Sequence, residues 1–449
     1  MSYAEDIIKQ SIKDIKLHKS RARRKHVEKL LNYYSGSDTW KYIAGNEGNY
    51  FDSKSFNEVP PYNMNLTKKF IDKKSRIYTL SPNRDLGNKS ANKQYDELLF
   101  YKNLRMKHIE RMTNLIGTPA VRVLWEEDED KKCFEYRVVY YYDAYFSPPN
   151  PYQPYAIIYP ILNPTQEVDY TDPPQFAYWD NQVNIIFDDN RNIIEEYPNP
   201  YGVLPFVFPR DTEQIDDFYG EGSTDVVATN EHVNILMTEL MLGLRFQMFG
   251  QSWASGVYED QPIARVGSDK LINLPVDGRF GIESPGGDPQ KVMEIAKSMI
   301  EILAVSKHMY VTFDSNQDRP SSGLALRIKD FEFVEDYKDD IETWRIFEND
   351  LYELERVIAD VNNVSLPDKF YVDFKEPEYP RSISEQIQKD DWELSNGLIT
   401  LEEILKRNNS DLSLEQAREI IAKNKESIEP EEEVVEDGEE RSERAIKNI

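Results

Sequence analysis

One apolar pattern constrains this chain more than any other, because it demands a single very long helix. Apolar side chains recur only three or four residues apart, at Leu324, Ile328, Phe331, Val334, Tyr337, Ile341, Trp344, Phe347, Leu351, Leu354, Ile358 and Val361. That spacing places them on one face of an α-helix. At 1.5 Å per residue the run spans roughly 57 Å. The pattern therefore predicts a helix that crosses a whole domain.

Two further helices precede this one and flank an insert. The first is predicted over Thr224–Phe249, where Val226, Val233 and Leu240 belong to an apolar stripe that also includes Asn230. The second is predicted from Asp288 to about Tyr310, because Asp288-Pro289 supplies an N-cap and a proline at the first helical position. Glycine-rich residues 250–287 form the insert, with short β-like runs at 264–266 and 271–274.

The N-terminal half changes its period from helical to extended. Helices are predicted over residues 5–34, 65–80 and 88–116, with a loop at 37–62. From Pro119 to Phe208 the apolar period is two, and prolines divide the segment into short strands. After a strand at 370–374, residues 382–425 predict a small helical unit. The expected fold class is therefore α+β, mainly helical.

Composition limits the classes of partner and compartment. The net charge of −27 excludes a protein that simply coats DNA with a basic face. Cys133 is the single cysteine, so neither a disulfide framework nor a cysteine-based zinc site is possible within one subunit. The opening residues resemble no secretory signal, and no apolar run is long enough to span a membrane. We expect no membrane association.

The familiar catalytic and metal-binding motifs are incomplete. The glycines of 281–288 resemble a phosphate loop, but Gly287 and Asp288 occupy its lysine and hydroxyl positions. Asp314 begins a calcium-like loop in which Arg319 replaces the required glycine and Ala325 the required glutamate. The five histidines lie far apart in sequence. We expect no cofactor and no enzyme activity, although 81 carboxylates leave a two-carboxylate hydrolase open.

The order of short motifs resembles the portal proteins of tailed double-stranded-DNA bacteriophages, over roughly residues 25–425. The motifs are Tyr33–Gly36, Asn65 with Ile71-Asp72, Tyr78–Pro82, Gly117, Asn199 to Pro205, Asn230 with Asn234, Ser322–Leu326 and Leu394–Glu403. Each motif alone is weak, whereas their order and spacing together are fairly specific. The best single element is Ser322-Gly323-Leu324-Ala325-Leu326, which opens the long helix.

The resemblance implies a portal fold and a role for each region of the chain. Residues 1–222 would form the N-terminal wing, 223–250 the first stem helix, 251–287 the clip and 288–310 the second stem helix. Residues 311–322 would be the tunnel loop, 323–381 the long wing helix and its strand, and 382–428 the crown. The acidic tail 429–449 is expected to be solvated and disordered.

The same resemblance implies partners and contact residues. Subunits would form a ring, typically of twelve, at one capsid vertex of a virion assembled in the host cytoplasm. DNA would face Ser315, Asn316, Gln317, Arg319, Arg327 and Lys329, whereas the clip would bind partners through Tyr258, Arg265, Lys270 and Arg279. The expected partners are the major capsid protein, a scaffold protein, the terminase large subunit, a head-completion or adaptor protein, and double-stranded DNA.

Two features weigh on this interpretation. Arg319 is the only basic residue within 311–322, so the sequence does not support a loop that grips DNA by charge. A different virion structural protein, such as a connector or baseplate subunit, is an alternative that keeps the oligomer but loses the terminase and DNA passage. The carboxylate hydrolase is the third hypothesis, and it predicts a monomer or small oligomer.

Overall fold

The computed structural model describes residues 6–9, 18–43, 61–128, 131–161, 175–188, 190, 192–212, 217–249, 251–255, 277–283, 287–309, 311, 313, 331–375, 383–409 and 412–428. The chain divides into two compact units. The larger unit comprises residues 1–318 and 329–377, and the smaller comprises 319–328 and 378–449. About half of the chain is helical, and helices and sheets are mixed. This composition agrees with the predicted α+β class.

The helices and strands of the larger unit follow the predicted order closely. Its helices are α1 (His18–Ser35), α2 (Trp40–Ile43), α3 (Leu66–Lys74), α4 (Lys89–Leu98), α5 (Lys102–Ile116), α6 (Thr224–Phe249), α7 (Pro289–Ser306) and α8 (Phe331–Val361). Its strands are β1 (Asn83–Asp85), β2 (Ala120–Asp128), β3 (Lys131–Val139), β4 (Asp143–Ser147), β5 (Asn150–Ile161), β6 (Gln175–Trp179), β7 (Val183–Phe187), β8 (Ile193–Pro198), β9 (Phe206–Val207), β10 (Gln251–Ser255), β11 (Arg279–Glu283) and β12 (Tyr371–Asp373).

Every described strand pair is antiparallel. Strands β4 to β8 form a five-stranded meander in sequence order, and a three-stranded sheet has the order β3-β2-β9. In the β2–β3 hairpin Ala120 pairs with Val139 and Asp128 with Lys131. Two separate two-stranded ribbons join β1 to β12 and β10 to β11.

The predicted strands between Pro119 and Phe208 are confirmed, but the expected division by prolines is wrong for β5, which runs through Pro151, Pro154 and Pro160. The register between β4 and β5 shifts beside Pro154, which allows the strand to continue past a residue without an N–H group. Strand β9 has only two residues.

Helix α8 organises the main core of this unit. Its 31 described residues span about 47 Å. The predicted apolar face is buried from Tyr337 to Ile358 against α4, α5 and the three-stranded sheet, while Val361 at its end is 44% exposed. The predicted beginning of this helix, residues 324–330, lies outside the described residues.

A buried ionic network fastens α8 to the α5 region. Lys102 Nζ lies 2.7 Å from an oxygen of Glu355 and 3.3 Å from one of Glu348, and all three side chains are fully buried. Arg84 adds a bond of 2.5 Å to Glu348. Hydroxyls of Tyr78, Tyr95 and Tyr136 donate to the two carboxylates. Two cations therefore balance two anions, and donors complete their shells, as buried charges require.

Three predictions differ from the structure, two of them for local physical reasons. Helix α3 ends at Lys74 rather than residue 80, because the Glu110 carboxylate accepts the N–H groups of Ile77 and Tyr78, at 2.8 and 3.1 Å. Helix α7 ends at Ser306 rather than Tyr310, for a reason given below. The predicted loop 37–62 contains the short helix α2, while residues 44–60 lie outside the described residues.

The smaller unit is a set of three helices, α9 (Ile383–Ser395), α10 (Leu401–Asn408) and α11 (Leu414–Ile428). Thr400 caps α10 in a reciprocal capping box with Glu403. Between α9 and α10 the predicted turn at Asn396-Gly397 is present, with Gly397 at φ +67°. The helical unit predicted for residues 382–425 is therefore confirmed, and the acidic tail 429–449 lies outside the described residues.

Candidate functional site

Helices α6 and α7 form an antiparallel hairpin, the central feature of the candidate site. Their apolar faces meet in a cluster that includes Val226, Val233, Ile300 and Leu303. Lys307, at the end of α7, lies 2.8 Å from Asp225 at the beginning of α6. The two helices therefore run in opposite directions, with the end of α7 beside the beginning of α6.

Two asparagines of α6 anchor the hairpin to the body of the unit. The side-chain oxygen of Asn230 accepts the N–H groups of Leu66 and Thr67, at 2.5 and 3.1 Å. The side-chain oxygen of Asn234 accepts the Met64 N–H, and its NH₂ group donates to the Met64 carbonyl. The first N–H groups of a helix have no partner within it, so Asn230 satisfies two such groups of α3 from outside. Buried asparagines thus interrupt the apolar stripe for a structural reason.

The end of the hairpin formed by the end of α6 and the beginning of α7 continues as the ribbon of β10 and β11, which lies within the predicted clip, residues 251–287. Gln251 pairs with Glu283 and Ser255 with Arg279, so the insert leaves and returns through adjacent strands. Gly281 pairs with Trp253, and a Cβ at Gly281 would lie only 2.6 Å from the indole ring. A side chain at Gly281 would therefore displace the indole of Trp253, which is itself 43% exposed.

The inner end of the hairpin closes with a Schellman motif. The N–H of Met309 donates to the Ala304 carbonyl at 2.8 Å, and that of His308 donates to the Val305 carbonyl at 3.0 Å. His308 takes the left-handed position, φ +52°, that glycine usually occupies. This motif ends α7 at Ser306. The pattern was missed because a histidine stands where the sequence signal would be a glycine.

His308 also ties this end of the hairpin to the beginning of α8. Its Nδ1 lies 2.6 Å from a carboxylate oxygen of Asp336. This contact therefore joins the end of α7 to the beginning of α8, while residues 314–330 between them lie outside the described residues. Phe313 lies near α7, with Lys297 Nζ 5.9 Å from its ring centroid.

Several carboxylates lie close to the contact between His308 and Asp336. Burial raises the pKa of Asp340 to about 6, and it also raises the pKa of Asp211, while Lys74 opposes both changes. Asp336 and Asp339 add to the effect at Asp340. The Asp340 carboxylate is therefore mostly ionised at neutral pH and takes up a proton as the pH falls through about 6.

The predicted contact residues fall mostly in parts that the structure leaves undescribed. All six of the predicted DNA-facing residues, Ser315, Asn316, Gln317, Arg319, Arg327 and Lys329, lie outside the described residues. The same is true of Tyr258, Arg265 and Lys270, and of the β-like runs at 264–266 and 271–274. Arg279 is described, and it is exposed at the far end of the ribbon.

The hairpin exposes apolar side chains that a neighbour could cover. On α7, Ile302 is 69% and Val305 is 70% exposed. Ile295, about two helical turns before Ile302, is 53% exposed. On α6, Met241 is 48% exposed. Residues 295 and 302 are seven apart, so they share one side of α7. Several large apolar residues on one helix face favour contact with another protein surface.

The ribbon and the His308–Asp336 contact are the parts that sequence reasoning missed. Strand β10 has the sequence Gln-Ser-Trp-Ala-Ser, which is poor in β-branched residues, so only its position after α6 signals it. No local signal joins His308 to Asp336. Within the described ranges, no three His, Cys, Asp or Glu side chains are placed to hold a metal. Among the same residues, no helix combines the length and apolarity that crossing a membrane requires.

Comparison with protein-family models and with curated proteins gives no match to this chain. The order of the sequence motifs and the geometry of the helix hairpin remain the indications of function.

Proposed function

We propose that this chain is a portal subunit of a tailed double-stranded-DNA bacteriophage, assembling as a ring through which the genome is packaged and later ejected. The observation that carries the proposal is the hairpin of α6 and α7. It bears a β-ribbon at one end, and at its other end the contact of His308 with Asp336 joins it to α8. In portal terms these parts are stem, clip, tunnel loop and wing helix.

The electrostatics of the chain support a conduit rather than a clamp. Each phosphate that a protein neutralises adds affinity for DNA, and tight contacts would stop DNA from moving through a channel. The chain has a net charge of −27, and Asp336 and Asp340 lie at the base of the proposed tunnel loop. Repeated around a ring, such a subunit repels the phosphate backbone and keeps DNA away from the walls.

The exposed apolar residues of the hairpin support assembly. A two-helix hairpin buries only one side of each helix within its own subunit, and Ile302 and Val305 remain largely exposed. In a closed ring, neighbouring subunits cover such faces.

The proposal places each partner at one part of the chain. The ring sits at the capsid vertex of the virion, where the wing meets the major capsid protein and, during assembly in the host cytoplasm, a scaffold protein. The clip, which includes the β10–β11 ribbon, binds the terminase large subunit and later a head-completion or adaptor protein. The proposal includes no enzymatic step and no cofactor.

Electron microscopy of the purified protein tests the proposal directly. We expect rings with a central hole and high-order rotational symmetry. Deletion of residues 312–320 should leave the rings intact and abolish DNA packaging or retention in infected cells. DNA-filled heads made with the deletion would refute the tunnel-loop role. Rings that bind neither terminase nor DNA-filled heads would favour a connector or baseplate subunit instead.

A further inference from the structure

Helix α8 borders an open groove on the side facing away from its ionic network. The groove has a volume of about 670 Å³ and lies between α8, residues 203–212 and the beginning of β5. Ile346, Val203 and Tyr152 line it and are 64%, 38% and 66% exposed. An apolar groove of this size with exposed walls is suited to receive side chains from another surface.

The rim of the groove is acidic. Asp350 and Glu353 line it, and the same side of α8 exposes Asp339, Glu342 and Asp360. At 100° per residue these positions fall within an arc of about 80°, together with Ile346. Arg345 pairs with Glu342 at 2.5 Å, and the Arg210 guanidinium lies over the Phe218 ring. Carboxylates therefore outnumber cations along this side, and an occupant should carry positive charge beside apolar side chains.

An apolar knob with such a charge projects from the junction of α4 and α5. Phe100 and Leu104 are 64% and 67% exposed, and Tyr101 is 38% exposed. The ammonium group of Lys131 lies 3.1 Å from the Phe100 ring centroid and 4.7 Å from that of Tyr101. Aromatic rings beside a cation complement an apolar groove with a carboxylate rim.

The knob and the groove lie on opposite sides of α8. Lys102, next to Tyr101 in the chain, bonds to Glu355 on the inner face of the helix. Asp350 and Val357 lie about 200° around the helix from Glu348 and Glu355. A knob on one side and a groove on the other cannot meet within one subunit. They can meet between subunits, and such a head-to-tail contact closes into a ring when its rotation allows.

We propose that the groove receives the Phe100–Leu104 knob of a second copy of this chain, with Lys131 of that copy facing Asp350 and Glu353. This contact is the anchor of the subunit interface, and its place in a ring rests on the proposed function. Apolar side chains that fill a pocket commonly dominate the energy of an interface.

Complementary variants test the pairing of these two surfaces. Ile346→Glu disables the groove and Leu104→Glu disables the knob, and both sites are exposed enough for the fold to tolerate the change. Each variant alone should associate at least about tenfold more weakly than the unchanged protein. Ile194→Glu, at an exposed apolar residue of β8, serves as the control and should assemble normally.

A mixture of the two variants distinguishes this contact from others. One intact knob and one intact groove remain, so an equimolar mixture should form dimers and nothing larger, as measured by light scattering after size-exclusion chromatography. The charge pair gives a second measurement: Lys131→Glu and Asp350→Lys should each weaken assembly, and their combination in one chain should restore it.

Each alternative outcome overturns the proposed contact and indicates which part of it is wrong. If Ile346→Glu abolishes assembly and Leu104→Glu does not, the groove binds another surface of the second copy. If Ile346→Glu changes only the stability of the monomer, a segment of the same chain fills the groove. Rings formed by both variants would overturn the interface and leave the proposed function intact. An unchanged protein that stays monomeric would overturn both.

Discussion

The buried network of Lys102, Glu348, Glu355 and Arg84 makes the sharpest stability prediction. Replacing Lys102 by methionine keeps most of the side-chain volume and removes one of two cations. Glu348 would then keep Arg84, whereas Glu355 would keep only the hydroxyls of Tyr95 and Tyr136. Leaving a buried charge without its partner typically costs about 3–5 kcal/mol. We expect Lys102→Met to lower the free energy of unfolding by that amount.

A matched control isolates the effect of burial. Lys132 Nζ lies 2.7 Å from Glu127, the same distance as the Lys102–Glu355 contact, but its side chain and that of Glu127 are 48% and 47% exposed. Exposed pairs contribute about 0–1 kcal/mol. Lys132→Met should therefore change the stability little. Urea unfolding of both variants and the unchanged protein, followed by tryptophan fluorescence and circular dichroism, gives the comparison.

The pH dependence provides a second test of the same reasoning. Burial alone would raise the pKa of Glu348, but Arg84 and Lys102 lower it to about 2. Because the folded pKa lies below the unfolded value, this stability is present above about pH 4.5 and is lost as the pH falls towards 2. A difference of about 2.5 pKa units corresponds to roughly 3 kcal/mol.

In Lys102→Met the excess buried negative charge can be neutralised by a proton. The loss in free energy of unfolding caused by Lys102→Met should therefore become smaller as the pH is lowered from 7 to 5. Two results would refute the reasoning that burial strengthens the effect of the Lys102–Glu355 pair. One is an equal loss of unfolding free energy in Lys102→Met and Lys132→Met. The other is a loss in Lys102→Met that does not change with pH.

Three further predictions concern single positions, each measured by urea unfolding. Gly222→Ala should destabilise the fold by several kcal/mol, because φ is +63° and a Cβ would lie 2.2 Å from the Leu115 carbonyl oxygen; Gly202→Ala, with φ +67° and open space, should cost only about 1 kcal/mol. Asp288→Ala removes the N-cap of α7 and should cost about 1 kcal/mol, while Asp288→Ser should cost less. Because burial raises the pKa of Asp340 to about 6, the stability should fall as the pH rises from about 4 to 6. Asp340→Asn should remove that fall and raise the free energy of unfolding by about 1–3 kcal/mol at pH 8. No gain at pH 8 would contradict the effect of burial.

Local chemistry in the sequence determined most of the helices and strands. The three-and-four spacing from Tyr337 to Ile358 marked the buried face of α8, and Asp288-Pro289 marked the beginning of α7. The change to a period of two predicted the hairpin of β2 and β3. These features depend on neighbours within one or two turns of the chain, so a single sequence contains them.

Tertiary structure alone decided which distant groups complete one another. Lys102 meets Glu355 across 253 residues, and Asn230 completes the N-terminus of α3 across 164. His308 ends α7 and pairs with Asp336, which no spacing rule indicates. A buried charge or an unpaired N–H group can be satisfied by any partner that folding brings near. The sequence therefore determined the elements of the hairpin, whereas only the three-dimensional structure determined how its ends are closed and which surfaces remain open.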